Sequence, residues 1–219
     1  MDQITKEIAE VLLQIKAIKL NAKSPFTWAS GLRSPIYCDN RKILAFPSPR
    51  KQVIKCLTER SKGFSEFNAI AGVATAGIAW GAYLAEQLEL PFCYVRSKPK
   101  EHGLKNLIEG ELPVHSKILV VEDLISTGGS SIQAAEYLKE QDHSISGILA
   151  IFQYGFEDTN ELFIKKQLQL LTLSDFSSLL EHSLLTQYLS QQDYDNLKSW
   201  NKNPKLWSEQ FCNHNESII

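Results

Sequence analysis

The sequence predicts an α/β fold, a mainly parallel sheet flanked by helices, with a small hood built from the N-terminal segment. Three observations carry that prediction. Short runs rich in apolar residues recur at 69–73, 92–95, 117–121, 148–152 and 168–173. Stretches with helical periodicity, 76–89 and 129–141, separate some of these runs, and this alternation is the pattern of parallel strands joined by crossover helices. The loops after two of the strands, 74–77 and 126–130, are made of small and hydroxyl-bearing residues, and open parallel sheets bind ligands beyond their strands' carboxyl ends.

The elements follow in order. Residues 3–20 show helical periodicity, and 48–60 read as a second helix before the first core strand. No charged residue occurs from Phe67 to Ala85, nearly the length of a membrane span, but Gly72, Gly77, Gly81 and many alanines dilute its hydrophobicity. It reads instead as a buried strand (NAIAGV), a phosphate-facing loop (ATAG) and a helix (IAWGAYLAEQLEL) whose small residues pack closely on a sheet. Beyond Leu173, SDFSSLLEHSLLTQYLSQQDYDNLKSW reads as one or two short helices, NPKLWSEQ as a break with a final turn, and NHNESII as a mobile polar end. The 219 residues, 43% apolar, suffice for one domain: a core at about 66–174, the hood at about 1–45, and C-terminal helices at about 175–210.

Composition narrows the function. A net charge of −2 gives no reason to expect nucleic acid or an anionic membrane as partner. Cys38, Cys56, Cys93 and Cys212 are scattered without a C-x-x-C pair, so neither a zinc site nor a disulfide framework is indicated. The N-terminal MDQITKEIAEVLLQ lacks the basic and apolar regions of a secretory signal, and a reducing cytoplasm is the expected location.

The chemistry concentrates in LVVEDLISTGGSS, residues 119–131. Val120 and Val121 are expected to end a buried strand, leaving Glu122 and Asp123 at its carboxyl end to accept hydrogen bonds from neighbouring ribose hydroxyls. Ser126, Thr127 and Ser130 supply hydroxyl donors, while Gly128 and Gly129 let the backbone turn and present N–H groups to an anion at the start of a helix. An ordinary strand-to-helix turn capped by Ser or Thr gives a similar loose pattern, and the motif alone leaves both readings open. A Walker-type loop and a dinucleotide fingerprint are excluded, since no Gly-Lys-Ser/Thr and no G-x-G-x-x-G is present.

A second feature is RSKPKEHGLKNLIEG, residues 96–110, which gathers Arg96, Lys98, Lys100, His102 and Lys105 into one loop of an acidic protein. Pro99 and Gly103 disfavour a continuous helix, so the segment reads either as a solvated basic loop or as a lid that closes over a polyanion. Its position near a ribose-phosphate loop favours the lid.

The motif at 119–131 resembles the phosphoribosyl-diphosphate signature of the type I phosphoribosyltransferases. With SPFTWASGLRSPIYCDNR (24–41), GVATAGIAWGAYLAE (72–86) and YVRSKPKEHGLKNLIEG (94–110), the chain resembles the orotate phosphoribosyltransferase branch over nearly its whole length. The resemblance implies the type I phosphoribosyltransferase fold and transfer of ribose 5-phosphate from phosphoribosyl diphosphate to orotate, in pyrimidine biosynthesis. It also implies Mg2+ held chiefly by substrate oxygens and water, with no protein metal ligand, and a homodimer with shared active sites. By residue-to-residue match, Arg96, Lys98, Lys100 and His102 contact diphosphate, and Glu122 and Asp123 hold the ribose. Leu124, Ile125, Ser126, Thr127, Gly128, Gly129 and Ser130 wrap the 5-phosphate, and Thr75, Ala76 and Gly77 offer backbone groups to the diphosphate. Lys100 and Asp123 are the candidate catalytic residues, in electrostatic and positioning roles.

The sequence departs from the family pattern at Ala29, where many members carry Lys, at Ser97, within the lid's usual basic pair, and at Gln153 and Tyr154, near an Arg that holds orotate elsewhere. Ser126 and Arg33 are therefore the candidate orotate contacts. Trp28 sits close enough to line a base pocket, although large aromatics usually serve burial. A phosphoribosyltransferase for another base and a non-enzymatic sensor of phosphoribosyl diphosphate are the rival readings. The first has no need of this lid, and the second usually adds a DNA-binding domain, of which the N-terminal region shows no basic recognition-helix pattern.

Overall fold

The structure, a computed structural model, describes residues 1–28, 30–98 and 106–216, with side chains through Cys212. Helix α1 (Gln3–Gln14) is followed by four short strands, β1 (Ile18–Leu20), β2 (Phe26–Thr27), β3 (Arg33–Ser34) and β4 (Ile36–Cys38). A 3-10 turn, Asn40–Ala45, leads into α2 (Pro47–Ser61). The central unit then runs β5 (Ala69–Val73), α3 (Gly77–Leu88), β6 (Phe92–Val95), β7 (Ile108–Glu109), β8 (Lys117–Ile125), α4 (Gly129–Glu140), β9 (Ser144–Gln153), α5 (Glu157–Lys165) and β10 (Leu170–Asp175). Three helices close the chain: α6 (Phe176–Leu185), α7 (Gln191–Lys202) and α8 (Pro204–Glu216).

The main sheet has the order β10-β9-β8-β5-β6-β7, parallel throughout except for the β6–β7 pair. Both faces are covered, which is why β5 is buried at every position and reads as continuous apolar sequence. Alternation assigns the faces. Ile70, Leu119 and Val121 join the core built with α1, α2, α3, α6 and α7, while Ala71, Ile118 and Val120 join the one under α4 and α5. Two small antiparallel pairs, β1 with β4 and β2 with β3, form the hood.

Glycine explains the uncharged run at 67–85. A Cβ on Gly72 would lie 2.8 Å from the Gly77 carbonyl oxygen, and one on Gly81 3.1 Å from Gly72 Cα, so α3 rests directly on the β5 backbone. No described helix is long and apolar enough to cross a membrane.

The structure corrects three expectations. The periodic segment 3–20 is not one helix: α1 stops at Gln14, Lys16 takes a left-handed conformation (φ 54°), and Ile18–Leu20 pairs with β4. Within that segment IKAIKL is ambiguous, and pairing of Ile18 with Cys38 decides it. Strand β8 does not end at Val121 but continues to Ile125, because β9 pairs with it as far as Gln153. NPKLWSEQ is no break: the Asn203 side chain accepts the Leu206 N–H (3.0 Å), Pro204 opens the first turn, and α8 runs on to Glu216. Residues 217–219 of NHNESII lie outside the described residues.

Helices α7 and α8 are fixed by aromatic packing. Trp200 is fully buried, with ring centroids 5.7 Å from Trp28, 5.8 Å from Tyr154, 5.7 Å from Phe156 and 5.3 Å from Phe176. Trp200→Ala is expected to lower stability by about 3–5 kcal/mol in urea unfolding, the range for deleting a large buried ring; a loss under about 1 kcal/mol would show that α7 is a dispensable cover.

Candidate active site

The site forms where β8 leaves the sheet. Because the strand runs past Val121, Glu122 and Asp123 sit within paired backbone, and Glu122 is only 7% exposed. Its Oε1 accepts the Asp123 N–H at 2.9 Å. Burial, and secondly the charge of Asp123, push the Glu122 carboxyl up to about 9. Burial also raises Asp123, against the opposing effects of the Glu122 hydrogen bond and the Arg41 charge. The ligand-free pair therefore retains a proton at neutral pH, because two carboxylates this close and this dry do not both ionise.

The backbone around the pair is crowded by design of sequence. A Cβ on Gly77 would lie 2.5 Å from the Val121 carbonyl oxygen and 3.4 Å from Glu122 Oε1, so the first residue of α3 touches β8 beside the acids. From the hood side, Asn40 is 1% exposed and its Nδ2 donates to the Asp123 carbonyl at 2.7 Å, while its Oδ1 accepts from Cys38 Sγ at 3.3 Å. Arg41, next in the 3-10 turn, is paired through Nε with Asp39 at 2.7 Å.

The loop after β8 has the form expected of an anion cradle. Gly128 takes φ +75° immediately before α4, and a Cβ there would meet Phe163 at 2.6 Å, so only glycine fits. The Thr159 hydroxyl donates to the Ser126 carbonyl (3.0 Å) and the Ser131 hydroxyl to the Gly128 carbonyl (3.1 Å), turning carbonyls away from the ligand side. A hollow of about 90 Å³ is lined by Glu122, Leu124, Ser126, Thr127 and the turn at 128–131, roughly three times the ~30 Å³ share of a liquid water. The first N–H groups of α4 have no intrahelical acceptor and are free to meet an anion there. Ile125 faces the core, buried, and its carbonyl accepts the Tyr154 N–H (3.1 Å).

The second small-residue loop lies alongside. Its Ala74–Thr75 peptide is cis, the Ala74 N–H donates to the Val95 carbonyl (2.9 Å), and Thr75 is exposed ahead of α3. The base of the basic segment is a short hairpin: β7 pairs with β6, and the Arg96 N–H bonds the Leu107 carbonyl (2.8 Å). The Arg96 guanidinium pairs with Glu109 at 3.2 Å, and Lys98 is exposed. Lys100 and His102 lie outside the described residues, as do Ala29, Pro99, Gly103 and Lys105.

Of the candidate orotate contacts, Ser126 stands in the phosphate hollow and Arg33 on the hood hairpin, where its Nη1 donates to the Thr27 hydroxyl (2.8 Å) and its N–H to Ser208 of α8 (2.9 Å). Gln153 and Tyr154 face apart: Gln153 reaches Thr172 of β10 (3.4 Å), whereas Tyr154 stacks with Trp28 at 5.4 Å. Sequence reasoning missed Asn40, whose side-chain bond spans 83 positions and leaves no local signal. Among the described residues there is no group of three or more His, Cys, Asp or Glu that could hold a metal.

An acid pair at a parallel-sheet edge, followed by a glycine-turned anion loop, defines a phosphoribosyltransferase, and the model of the phosphoribosyl transferase domain matches residues 42–163. Orotate phosphoribosyltransferases of Porphyromonas gingivalis and Listeria innocua are each 48% identical to this chain, aligned over 94% of it and 99% of their own length. The crystal structure of orotate phosphoribosyltransferase from Aeropyrum pernix superposes with a TM-score of 0.73 at 29% identity, covering 84% of this chain and 99% of that one. The chain belongs to the orotate phosphoribosyltransferase family.

The proton on the acid pair has a consequence for stability. Glu122 ionises near its ordinary 4.5 in the unfolded chain but near 9 in the fold, so the native state holds more protons between these values and stability falls as pH rises. Glu122→Gln, which cannot ionise, is expected to flatten the decline in melting temperature of the ligand-free protein between about pH 5 and 9 and to be the more stable form at pH 8. An unchanged pH profile would mean the pair is not protonated.

Proposed function

We propose that the protein transfers ribose 5-phosphate from phosphoribosyl diphosphate to a ring nitrogen of orotate, giving orotidine 5′-monophosphate and diphosphate in pyrimidine biosynthesis. The observation that carries this reading is the run of Glu122 and Asp123 directly into the glycine-turned loop of β8, in a chain alignable with orotate enzymes over almost its full length. The bond from the anomeric carbon to diphosphate breaks with its electron pair leaving on diphosphate, and the ring nitrogen forms the new bond. Such a reaction has oxocarbenium-like character and needs no protein nucleophile, so electrostatic stabilisation of the leaving group is the main demand.

In this reading Leu124 and Ile125 lead into the 5-phosphate cradle, whose donors are Ser126, Thr127 and Ser130 with the backbone at Gly128 and Gly129. Glu122 and Asp123 accept from the ribose hydroxyls and fix the anomeric carbon. Thr75, Ala76 and Gly77 present backbone groups to the diphosphate, and Arg96, Lys98, Lys100 and His102 neutralise it and exclude the water that competes with orotate. Ser126 and Arg33 carry base contacts. The hard oxygen donors of the acid pair suit Mg2+, which binds substrate oxygens and waters beside Glu122 and Asp123 without a dedicated protein cage. When bound it supplies charge neutralisation on the diphosphate. The 219-residue chain acts as one domain in the cytoplasm, as a homodimer in which each lid serves the partner's site.

Three outcomes test this. With phosphoribosyl diphosphate and Mg2+, orotate is expected to be consumed while hypoxanthine and adenine are not; a purine reacting with orotate inert overturns the assignment. Asp123→Asn is expected to lower kcat/KM for phosphoribosyl diphosphate about 10- to 100-fold, the scale of a charged hydrogen bond. Mixing inactive Lys100→Ala and Asp123→Ala subunits is expected to restore partial activity, and no recovery despite proven subunit exchange would contradict shared sites.

A further inference from the structure

Tyr154 follows β9, on the side of the acid pair away from the phosphate hollow. Its position is fixed twice by backbone: its N–H donates to the Ile125 carbonyl (3.1 Å), and its carbonyl accepts from Asn201 Nδ2 of α7 (2.8 Å). The ring is held on several sides, with centroids 5.4 Å from Trp28, 5.4 Å from a stacked Phe156, 5.8 Å from an edge-on Trp200 and 6.0 Å from an edge-on Phe152. The residue is 4% exposed. A ring so constrained has one place to direct its hydroxyl.

That hydroxyl makes no hydrogen bond to any described residue, although nearly every buried polar group in a folded protein is paired. Nor is it among the atoms sealed from solvent without a partner, which are Arg60 Nε, Trp80 Nε1, Gln153 Oε1 and Trp200 Nε1. It therefore opens on accessible space from a buried ring. The ionisable groups near enough to act on it are Cys38, Asp123 and Tyr37, so the hydroxyl lies at the junction of hood strand β4 with the acid pair. Burial, with those neighbours, raises the phenol above its ordinary range, and it remains a neutral donor at any working pH.

A planar base joined to a ribose held by Glu122 and Asp123 must extend to one side of the pair or the other. The cradle occupies one side. The other is walled by Trp28 and Tyr154 and roofed by the hood, and it offers an aromatic surface with a single unsatisfied donor. We infer that the Tyr154 hydroxyl donates a hydrogen bond to an acceptor oxygen of the pyrimidine and is a specificity-determining residue for the base. This inference rests on the reading of orotate as the acceptor.

The test is Tyr154→Phe, which removes one oxygen and keeps the ring stack, so its melting temperature should stay within a few degrees of the wild type. KM for orotate is expected to rise about 10-fold while KM for phosphoribosyl diphosphate changes less than about 2-fold, since a neutral hydrogen bond contributes about 0.5–1.5 kcal/mol and 1.4 kcal/mol is tenfold. Calorimetric binding of orotidine and uridine 5′-monophosphates then locates the acceptor. A loss confined to orotidine monophosphate identifies the carboxylate, and an equal loss on both identifies a ring carbonyl; either supports the inference. Unchanged KM for orotate, or a rise confined to phosphoribosyl diphosphate, overturns it. A wild-type protein that neither consumes orotate nor binds orotidine monophosphate overturns the functional reading itself, and the inference with it.

Discussion

The burial of two adjacent carboxylates at the end of the central strand is the constraint on which the rest of the site depends. Strand β8 is paired on both edges, with β5 and β9, and its pairing with β9 continues through Glu122 to Ile125. This rigidity is what allows an acid pair to be held dry, and dryness is what makes the pair keep a proton until a ligand supplies hydroxyls and positive charge. The neighbours accept the same constraint. Position 77 has to be glycine for α3 to reach the Val121 carbonyl, and Asn40 caps the Asp123 carbonyl that strand pairing leaves to the hood.

Much of this was legible in the sequence because it is local. The strands Ala69–Val73 and Phe92–Val95 have the bounds their apolar runs indicate, since each is short, buried and closed by a turn. The cradle was legible for a similar reason: Gly128 and the hydroxyls of 126–131 act through backbone geometry within a few residues. What escaped is what depends on contact across the chain. IKAIKL becomes a strand only through its partner β4, the acids enter the strand only because β9 extends alongside, and α8 forms in a polar segment because it docks on the hood. The opposite facing of Gln153 and Tyr154 follows from strand alternation once the end of β9 is known, but the unpaired hydroxyl of Tyr154 is visible only in three dimensions.

The C-terminal helices belong to the base side of the site more than the sequence suggests. Asn201 holds the Tyr154 carbonyl, Ser208 holds the Arg33 N–H, and Trp200 packs edge-on against both Trp28 and Tyr154. The Trp207 indole in turn donates to Asn196 at 2.7 Å, fastening α8 to α7. The phosphate end is thus built by the sheet and α4, and the base end by the hood with the chain's last helices, and the acid pair is the hinge between the two chemistries. Substitutions at the two ends should accordingly separate effects on the two substrates.

The most direct measurement is a crystal structure of the protein with orotidine 5′-monophosphate bound. The account predicts phosphate oxygens within hydrogen-bond distance of the loop at 126–130, ribose hydroxyls on Glu122 and Asp123, and the pyrimidine on the Trp28 and Tyr154 side under the hood. A nucleotide bound with its phosphate away from that loop, or with its ribose clear of both acids, would contradict it.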